Sequence, residues 1–497
     1  MLPYAVVFCF AFLWVIPLAE SKVIESISPP NVRVFPIFDA RLDFAMRIES
    51  INRAVYSIDM MTYMHNGEIG AELNRALQAA IQRGVKVRFV TEMYTTMSLS
   101  EPRGSRLPRE LARTFATNAN CLGEILCVSP IAKMRAGLHP LDGFHEKILI
   151  LDAGKPTALA WLGGRNNDEF AKKDLDFAAV VRPLDPKRPS AIDSVLEIFE
   201  DAWREANKIQ LAKVTPVQTG LEEVARRIVE MPDPKKLLEA SKLSTPSDFR
   251  RLKRAVFEMD SDLNHSEVVS FIPKSMAISS NDFMAQVTSK ETPYKMSKRD
   301  YFKSSNVDML AEAIAGSKEI FVTSMAIDMP EALLTSLRTA ILNGAHVSFF
   351  TNSPELEKAR IPGAVQFDQS MNELKQLYDL TQKPGSKGKL SVFLLDPKKI
   401  DESTEYRGWL AYLHRKMVVT DRHVFLGSDN YTDASRLKNN EVLARFEDPK
   451  FVSFMRSAMN KEMKLFYSLP CAELLEHAKR SHEWGRSILA KFFRQFL

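Results

Sequence analysis

A chain of 497 residues with 45% apolar content has ample material for a buried core, as more than one domain or as one large duplicated domain. Its 67 Lys and Arg against 62 Asp and Glu leave a net charge of only +5, which hints at anionic partners but excludes the dense basic blocks of a dedicated nucleic-acid binder. Neither the number nor the spacing of the 4 cysteines suggests a metal site.

At the amino end, Tyr4 to Leu18 is an apolar run broken by Pro17 and followed by Ala19-Glu20-Ser21. Small residues at Ala19 and Ser21 suit cleavage before Lys22, and the run is shorter than the about 20 residues of a membrane span. Residues 1–21 therefore read as a signal peptide, and the mature protein as exported, periplasmic or secreted. No Lys or Arg precedes the run, which leaves an uncleaved anchor as the other reading. No later stretch is long and apolar enough to cross a membrane. Cys121 and Cys127 flank a short loop, either as a pair in an oxidising compartment or as two thiols.

The chain then repeats itself. Ala54 to Tyr63 is a strand-like run that leads into a helical pattern through Leu73, Leu77 and Ile81, then Gly84 and the alternating run Val85 to Val90. Glu319 to Met325 begins the same series, with Leu333, Leu337 and Ile341, then Gly344 and Val347 to Phe350. A glycine that closes a helix between two β-rich runs marks a βαβ unit with parallel strands. Between the copies, a charged and Pro-punctuated stretch reads as a helical connector, with a basic cluster from Arg250 to Arg254 that suits a solvated helix face.

About sixty residues beyond Gly84 and about seventy beyond Gly344, each copy reaches a His-x-Lys-x4-Asp motif: His145, Lys147 and Asp152, then His414, Lys416 and Asp421. Read as strands, each motif projects its His and Lys from one face, because residues two apart point the same way. Asp152 and Asp421 have the opposite parity and suit a structural role in a turn. Two histidines and two lysines fit phosphodiester chemistry without a metal. One imidazole attacks phosphorus, the other protonates the leaving alcohol, and the lysines supply fixed positive charge. Each motif is followed by a small-residue turn with an Asn, Gly163-Gly164-Arg165-Asn166 and Gly427-Ser428-Asp429-Asn430. Gly164 and Ser428 would let a backbone approach a phosphate, and Asn166 and Asn430 could donate to it. Asp176 and Glu441, ten and eleven residues past the Asn, are carboxylates placed to orient an imidazole.

At these residues the chain resembles the phospholipase D superfamily, of the kind with two motifs in one polypeptide, from about Arg33 to Tyr467. The resemblance implies a duplicated α/β fold: two halves, each with a mixed β-sheet flanked by helices, and an active site at their interface. It also implies a phosphohistidine intermediate resolved by water or an alcohol, with His145 and His414 catalytic, Lys147 and Lys416 on the phosphate, and Asn166 and Asn430 beside them. Asp176 and Glu441 fall where members carry the carboxylate that orients a histidine. The Gly163 to Asn166 turn with Asp174-Leu175-Asp176, and the opening Phe38 to Arg47, look like the cardiolipin synthase branch, which transfers phosphatidyl groups. Asp429 departs from the branch, where a neutral or aromatic residue is common.

The expected division is 1–21 signal, 22–207 first half, 208–267 connector, 268–470 second half and 471–497 an amphipathic carboxyl-terminal helix. From Ser481 onward, Ile488, Leu489, Phe492, Phe493 and Phe496 share one face, suited either to a membrane surface or to docking on the core. The expected partner is the phospholipid membrane surface as substrate, acted on by a monomer without cofactor. Nucleic acid, the substrate of the alternative exported nuclease, is disfavoured because no stripe of aromatic and basic residues is evident.

Overall fold

The computed structural model describes residues 23–27, 30–92, 106–117, 123–128, 132–133, 143–168, 171, 174–210, 269–281, 305–325, 329–353, 361–403, 412–432, 435 and 439–484. The expected signal segment, Cys121, almost all of the expected connector with its basic cluster, and the apolar face from Ile488 onward lie outside these residues.

Alternation of apolar residues generates two sheets. In the first half the strands are β2 (Val32–Ile37), β3 (Ser57–Thr62), β4 (Lys86–Glu92), β5 (Glu124–Val128), β7 (Ile148–Leu151), β8 (Leu159–Gly163) and β9 (Ala178–Pro183). They lie in the order β2-β9-β8-β7-β3-β4-β5. The second half contributes β10 (Ser275–Asn281), β11 (Glu319–Thr323), β12 (His346–Thr351), β13 (Lys389–Leu395), β14 (Met417–Val419), β15 (His423–Gly427) and β16 (Asn439–Glu447). Their order is β10-β16-β15-β14-β11-β12-β13, the same path strand for strand. Pairing senses also match: β3-β4-β5 and β11-β12-β13 are parallel, and the remaining neighbours on both paths are antiparallel.

The parallel strands need crossovers, which helices provide. In the first half these are α1 (Ala40–Arg53), α2 (Gly67–Gln82) and α3 (Arg106–Thr117), with α4 (Ala191–Gln210) after β9. In the second they are α5 (Ser305–Ala315), α6 (Glu331–Leu342) and α7 (Ile361–Thr381). The short α8 (Pro397–Glu402), α9 (Pro449–Glu462) and α10 (Cys471–Trp484) follow. Leu73, Leu77 and Ile81 on α2, and Leu333, Leu337 and Ile341 on α6, are buried as their spacing predicts. Each helix ends before a glycine with φ of +85° at Gly84 and +91° at Gly344, the left-handed conformation that lets the chain reverse into the next strand.

Strand parity divides the core. Ile148 and Ile150 of β7, Val424 and Leu426 of β15, and Val442, Ala444 and Phe446 of β16 join a cluster shared by both halves, which also takes in the apolar faces of α4 and α9. Leu149 and Leu151 point the other way, into a cluster with α1 and α2, and Val418, Phe425 and Leu443 into one with α5, α6 and α7. The two sheets thus turn one face to each other and the other face to their own crossover helices.

Two boundaries differ from the sequence expectation. Strand β1 (Val23–Ile27), at the start of the first half in sequence, pairs antiparallel with β10 and so extends the second sheet. At the opposite edge β17 (Phe466–Ser468) pairs with β13, completing ten strands with the two-residue β6 (Gly143–Phe144), which pairs with β16 off the main path. The expected connector begins inside α4, which runs to Gln210. Helix α10 packs along α7 and buries Leu474 and Ala478. Among the described residues no helix is long and apolar enough to cross a membrane.

Asp152 closes β7 at a φ of 49°. Its carboxylate accepts the backbone N–H groups of Val55, Tyr56 and Ser57 and the Thr157 hydroxyl at 2.7 to 3.2 Å, fastening the start of β3. Asp421 accepts the Lys318 N–H at 3.1 Å, just before β11. Asp152→Ala leaves those donors without their acceptor and puts a Cβ branch without a polar tip in a left-handed turn. It is expected to cost on the order of 3 kcal/mol in a urea melt.

Candidate active site

The motif strands are shorter than alternation suggests. Strand β7 begins at Ile148 and β14 at Met417, so each His-x-Lys lies in extended chain just ahead of its strand. There the backbone pairs with the other half of the molecule. Phe144 of β6 runs parallel to Asn440 of β16, and His145 N–H donates to Asn440 O at 3.0 Å. Correspondingly, Leu413 bridges Leu175, and His414 N–H donates to Leu175 O at 3.0 Å. These pairings carry the motifs across to the carboxylates.

Each imidazole meets the carboxylate of the opposite half. His145 Nδ1 lies 2.7 and 2.9 Å from the two oxygens of Glu441, and His414 Nδ1 lies 2.8 Å from Asp176 Oδ2. A carboxylate offers only lone pairs once ionised, so His414 Nδ1, facing the ionised Asp176, carries the hydrogen and its Nε2 keeps the lone pair, and His145 has the same arrangement when Glu441 is ionised. Both carboxylates are themselves held. Ser428 Oγ donates to Glu441, and its oxygen accepts Val442 N–H at 3.0 Å. Ser435 lies close enough to Glu441 to favour its ionised form. Asp176 Oδ1 accepts the Phe177 N–H at 2.7 Å. Both lysines fold back, Lys147 Nζ donating to His145 O and Lys416 Nζ to His414 O. Tyr63 frames the first pair: its ring meets the His145 ring edge-on at 4.8 Å, with Lys147 Nζ 5.4 Å from its centre.

Burial decides the charge states. It drives His145 well below the usual imidazole value, reinforced by the Lys147 and Lys416 charges, and with Lys416 it lowers His414 to about 3 against the pull of Asp176. Burial lowers Lys147 to about 7 and Lys416 to about 8, although the carboxylates oppose it. Burial also pushes Glu441 up to about 7, against Lys147 and Ser428. For Asp176 burial acts in the same direction, but the His414 hydrogen bond and the charges of His414, Lys416 and Arg165 outweigh it and hold this carboxyl below its ordinary range. Near neutrality the imidazoles are therefore neutral, Glu441 is partly protonated, and the two ammonium groups are on the verge of losing their protons.

The structure thus brings together His145, Lys147, Asp176, His414, Lys416 and Glu441, and separates Asp152 and Asp421 at the far ends of their strands. Asn166 and Asn430 end the two turns that follow the motif strands. Each is buried with an amide oxygen that has no hydrogen-bond partner among the described residues, an arrangement that costs energy unless a ligand supplies one. Gly164 and Ser428 serve the carboxylates in this arrangement. Ser428 Oγ faces Glu441, and a Cβ at Gly164 would stand 2.9 Å from Lys416 Cδ and 3.0 Å from Asp176 Oδ1. The turns differ in their third residue. Arg165 is buried against Asp43 of α1 at 3.0 Å, while Asp429 accepts from Asn306 of α5 at 3.0 Å. Tyr63 and Ser435 were not singled out by the motifs, because neither sits at a matched position in both halves. Among the described residues no cluster of three or more His, Cys, Asp or Glu could hold a metal ion.

Two outcomes follow from this geometry. Gly164→Ala is expected to lower kcat on the order of a hundredfold in a folded protein, by displacing Lys416 or Asp176, as steady-state kinetics beside a thermal melt would show. A bound phosphodiester anion favours the protonated form of every group around it, raising the pKa of Lys147, Lys416 and Glu441. At pH 8 binding should therefore take up protons. Titration calorimetry with dimethyl phosphate, whose single charge does not change near neutrality, should give different heats in Tris and in HEPES. Equal heats would contradict the depressed lysines.

Comparison with known proteins agrees with this architecture. Residues 309–463 match the family model described as cardiolipin synthase, phospholipase D-like domain. The fold is similar to the crystal structure of phosphatidylserine synthase from Haemophilus influenzae Rd KW20, at 12% identity and a TM-score of 0.58, covering 97% of this chain and 98% of that one. A second similar structure is Nuc, a phospholipase D family member from Salmonella typhimurium, at 21% identity and a TM-score of 0.25, covering 36% of this chain and 95% of that one. No curated protein matches the sequence. The second half thus resembles a phospholipase D-like domain, the first half repeats its strand path, and both His-x-Lys-x4-Asp motifs converge on one cluster.

Proposed function

We propose that this protein transfers or hydrolyses the phosphodiester of a membrane phospholipid through a covalent phosphohistidine, as an exported enzyme. The observation that carries this reading is the pair of imidazoles, each with Nδ1 tied to a carboxylate of the opposite half and Nε2 left for chemistry. Support for a phospholipid substrate is the cardiolipin synthase description of the matching domain, together with a fold shared along its length with a phosphatidylserine synthase.

In this reading the substrate anion enters between Lys147 and Lys416, and its charge restores the protons that burial had loosened. One Nε2 attacks phosphorus, a P–N bond forms, and the P–O bond to the leaving alcohol breaks. The other imidazole, protonated in the complex, gives its Nε2 proton to that oxygen. The same imidazole then takes a proton from water or a second alcohol, which attacks phosphorus and releases the first histidine. Asp176 and Glu441 stabilise each imidazolium as it forms. The lysines and the Asn166 and Asn430 amides hold the phosphoryl oxygens, where negative charge concentrates.

The test incubates the mature protein with labelled phosphatidylglycerol, phosphatidylethanolamine and single-stranded DNA, beside His145→Ala and His414→Ala. Cardiolipin as product identifies transfer to a lipid alcohol, and phosphatidic acid identifies hydrolysis. Either should be absent from both variants, a loss of at least roughly a thousandfold. Cleaved DNA with untouched lipid would overturn the proposal in favour of a nuclease.

A further inference from the structure

Immediately before each motif histidine, the chain is gripped by a side chain from the end of the second parallel strand. Phe144 N–H donates to Glu92 Oε1 at 2.9 Å, and Leu413 N–H donates to Asn352 Oδ1 at 2.7 Å. Glu92 stands eight residues after Gly84 and Asn352 eight residues after Gly344, so the two are equivalent in the duplicated βαβ units although they differ in type. Both are buried, at 1% and 0% exposure.

The remaining atoms of each side chain are committed differently. Glu92 Oε2 accepts the ammonium of Lys133, itself buried, at 2.6 Å. The Asn352 amide donates to Leu413 O at 3.1 Å, holding both the N–H and the carbonyl of that residue, and to Met325 O at 3.3 Å. A buried ion pair stabilises little relative to apolar packing of the same volume, so a Glu and Lys enclosed here call for a reason other than stability. What they share with Asn352 is a fixed acceptor for one N–H, one residue away from an imidazole that must meet a carboxylate of the opposite half.

We propose that Glu92 and Asn352 are positioning residues that set where His145 and His414 stand against Glu441 and Asp176. Each motif histidine is then held on two sides. Its own N–H is fixed to the opposite half, and the preceding N–H is fixed to the parallel strands of its own half. Letting go of the second hold allows the imidazole to tilt off its carboxylate. Since Nε2 must come in line with the P–O bond, a tilt of this kind costs rate more than affinity. The role rests on the two-histidine reading of the site but on no particular substrate.

The test compares Glu92→Ala/Lys133→Met with Glu92→Gln/Lys133→Met. Both lack the ion pair, and only the second keeps an acceptor for Phe144 N–H. Nitrogen-15 histidine spectra of the unliganded proteins report whether His145 remains the Nδ1–H tautomer bound to Glu441, whatever the substrate proves to be. Expected is loss of that state in the alanine variant and its retention in the glutamine variant. Towards bis(para-nitrophenyl) phosphate, kcat should fall at least roughly tenfold in the first, with KM changed less than about twofold, and stay within about threefold of the parent in the second. Should the alanine variant fail to fold, Asn352→Ala beside Asn352→Asp puts the same question to His414, with the His145 signals as internal control. An unaltered His145 tautomer in the folded alanine variant, or equal losses in the paired variants, would overturn the proposal.

Discussion

The Glu441 carboxylate reaches His145 from the second half, and the Asp176 carboxylate reaches His414 from the first. Neither half contains a complete imidazole–carboxylate pair of this cluster, so the pairs exist only where the two sheets meet. Much of the architecture follows from this requirement. Glu441 lies in β16, two places from β14, and Asp176 lies just ahead of β9, two places from β7. Each motif leaves its sheet before the His to pair with the other half's carboxylate-bearing segment. The cluster shared by both halves fills the space beneath those crossings with apolar side chains.

Placing six ionisable groups in such a position is costly, since burial disfavours every charge in it. The cost is met in two ways. Opposite charges alternate within the cluster, and the carboxylates collect hydroxyl and backbone donors such as Ser428 and Phe177. Burial leaves the protons of Lys147 and Lys416 loosely held, a state that a bound anion would reverse. The halves are alike in topology but not in electrostatics. Glu441 titrates near neutrality while Asp176 stays ionised, and the turn after the first motif carries Arg165 where the second carries Asp429. Two titrating pairs pushed apart in this way suit a reaction in which one imidazole gives a proton while the other attacks.

Much of this was legible from the chain alone. The repeat of strand, helix, glycine and strand gave the parallel βαβ units because helix periodicity and a left-handed glycine are local properties. Gly84 and Gly344 adopt the conformations that their positions require. The matched spacing of His145 and Lys147 with His414 and Lys416, and of Asp176 with Glu441, marked the chemical groups because duplication preserved distances along the chain. Parity separated Asp152 and Asp421 from their histidines, and the structure indeed places both at turns.

What the chain could not give is which group meets which. Spacing along a strand says nothing about the strand opposite, so the crossing of Glu441 to His145 and Asp176 to His414 appears only when the sheets pack. The same holds for Tyr63, Glu92 and Asn352, whose partners lie far away in sequence and whose residue types differ between the halves. Alternation also overstated the motif strands, because pairing with the other half takes the backbone of His145 and His414 out of the sheet it would otherwise continue. Local periodicity and repeat spacing thus determined the fold and the inventory of groups that cluster between the sheets. Their pairing and charge were decided by tertiary packing, which alone sets distance and burial.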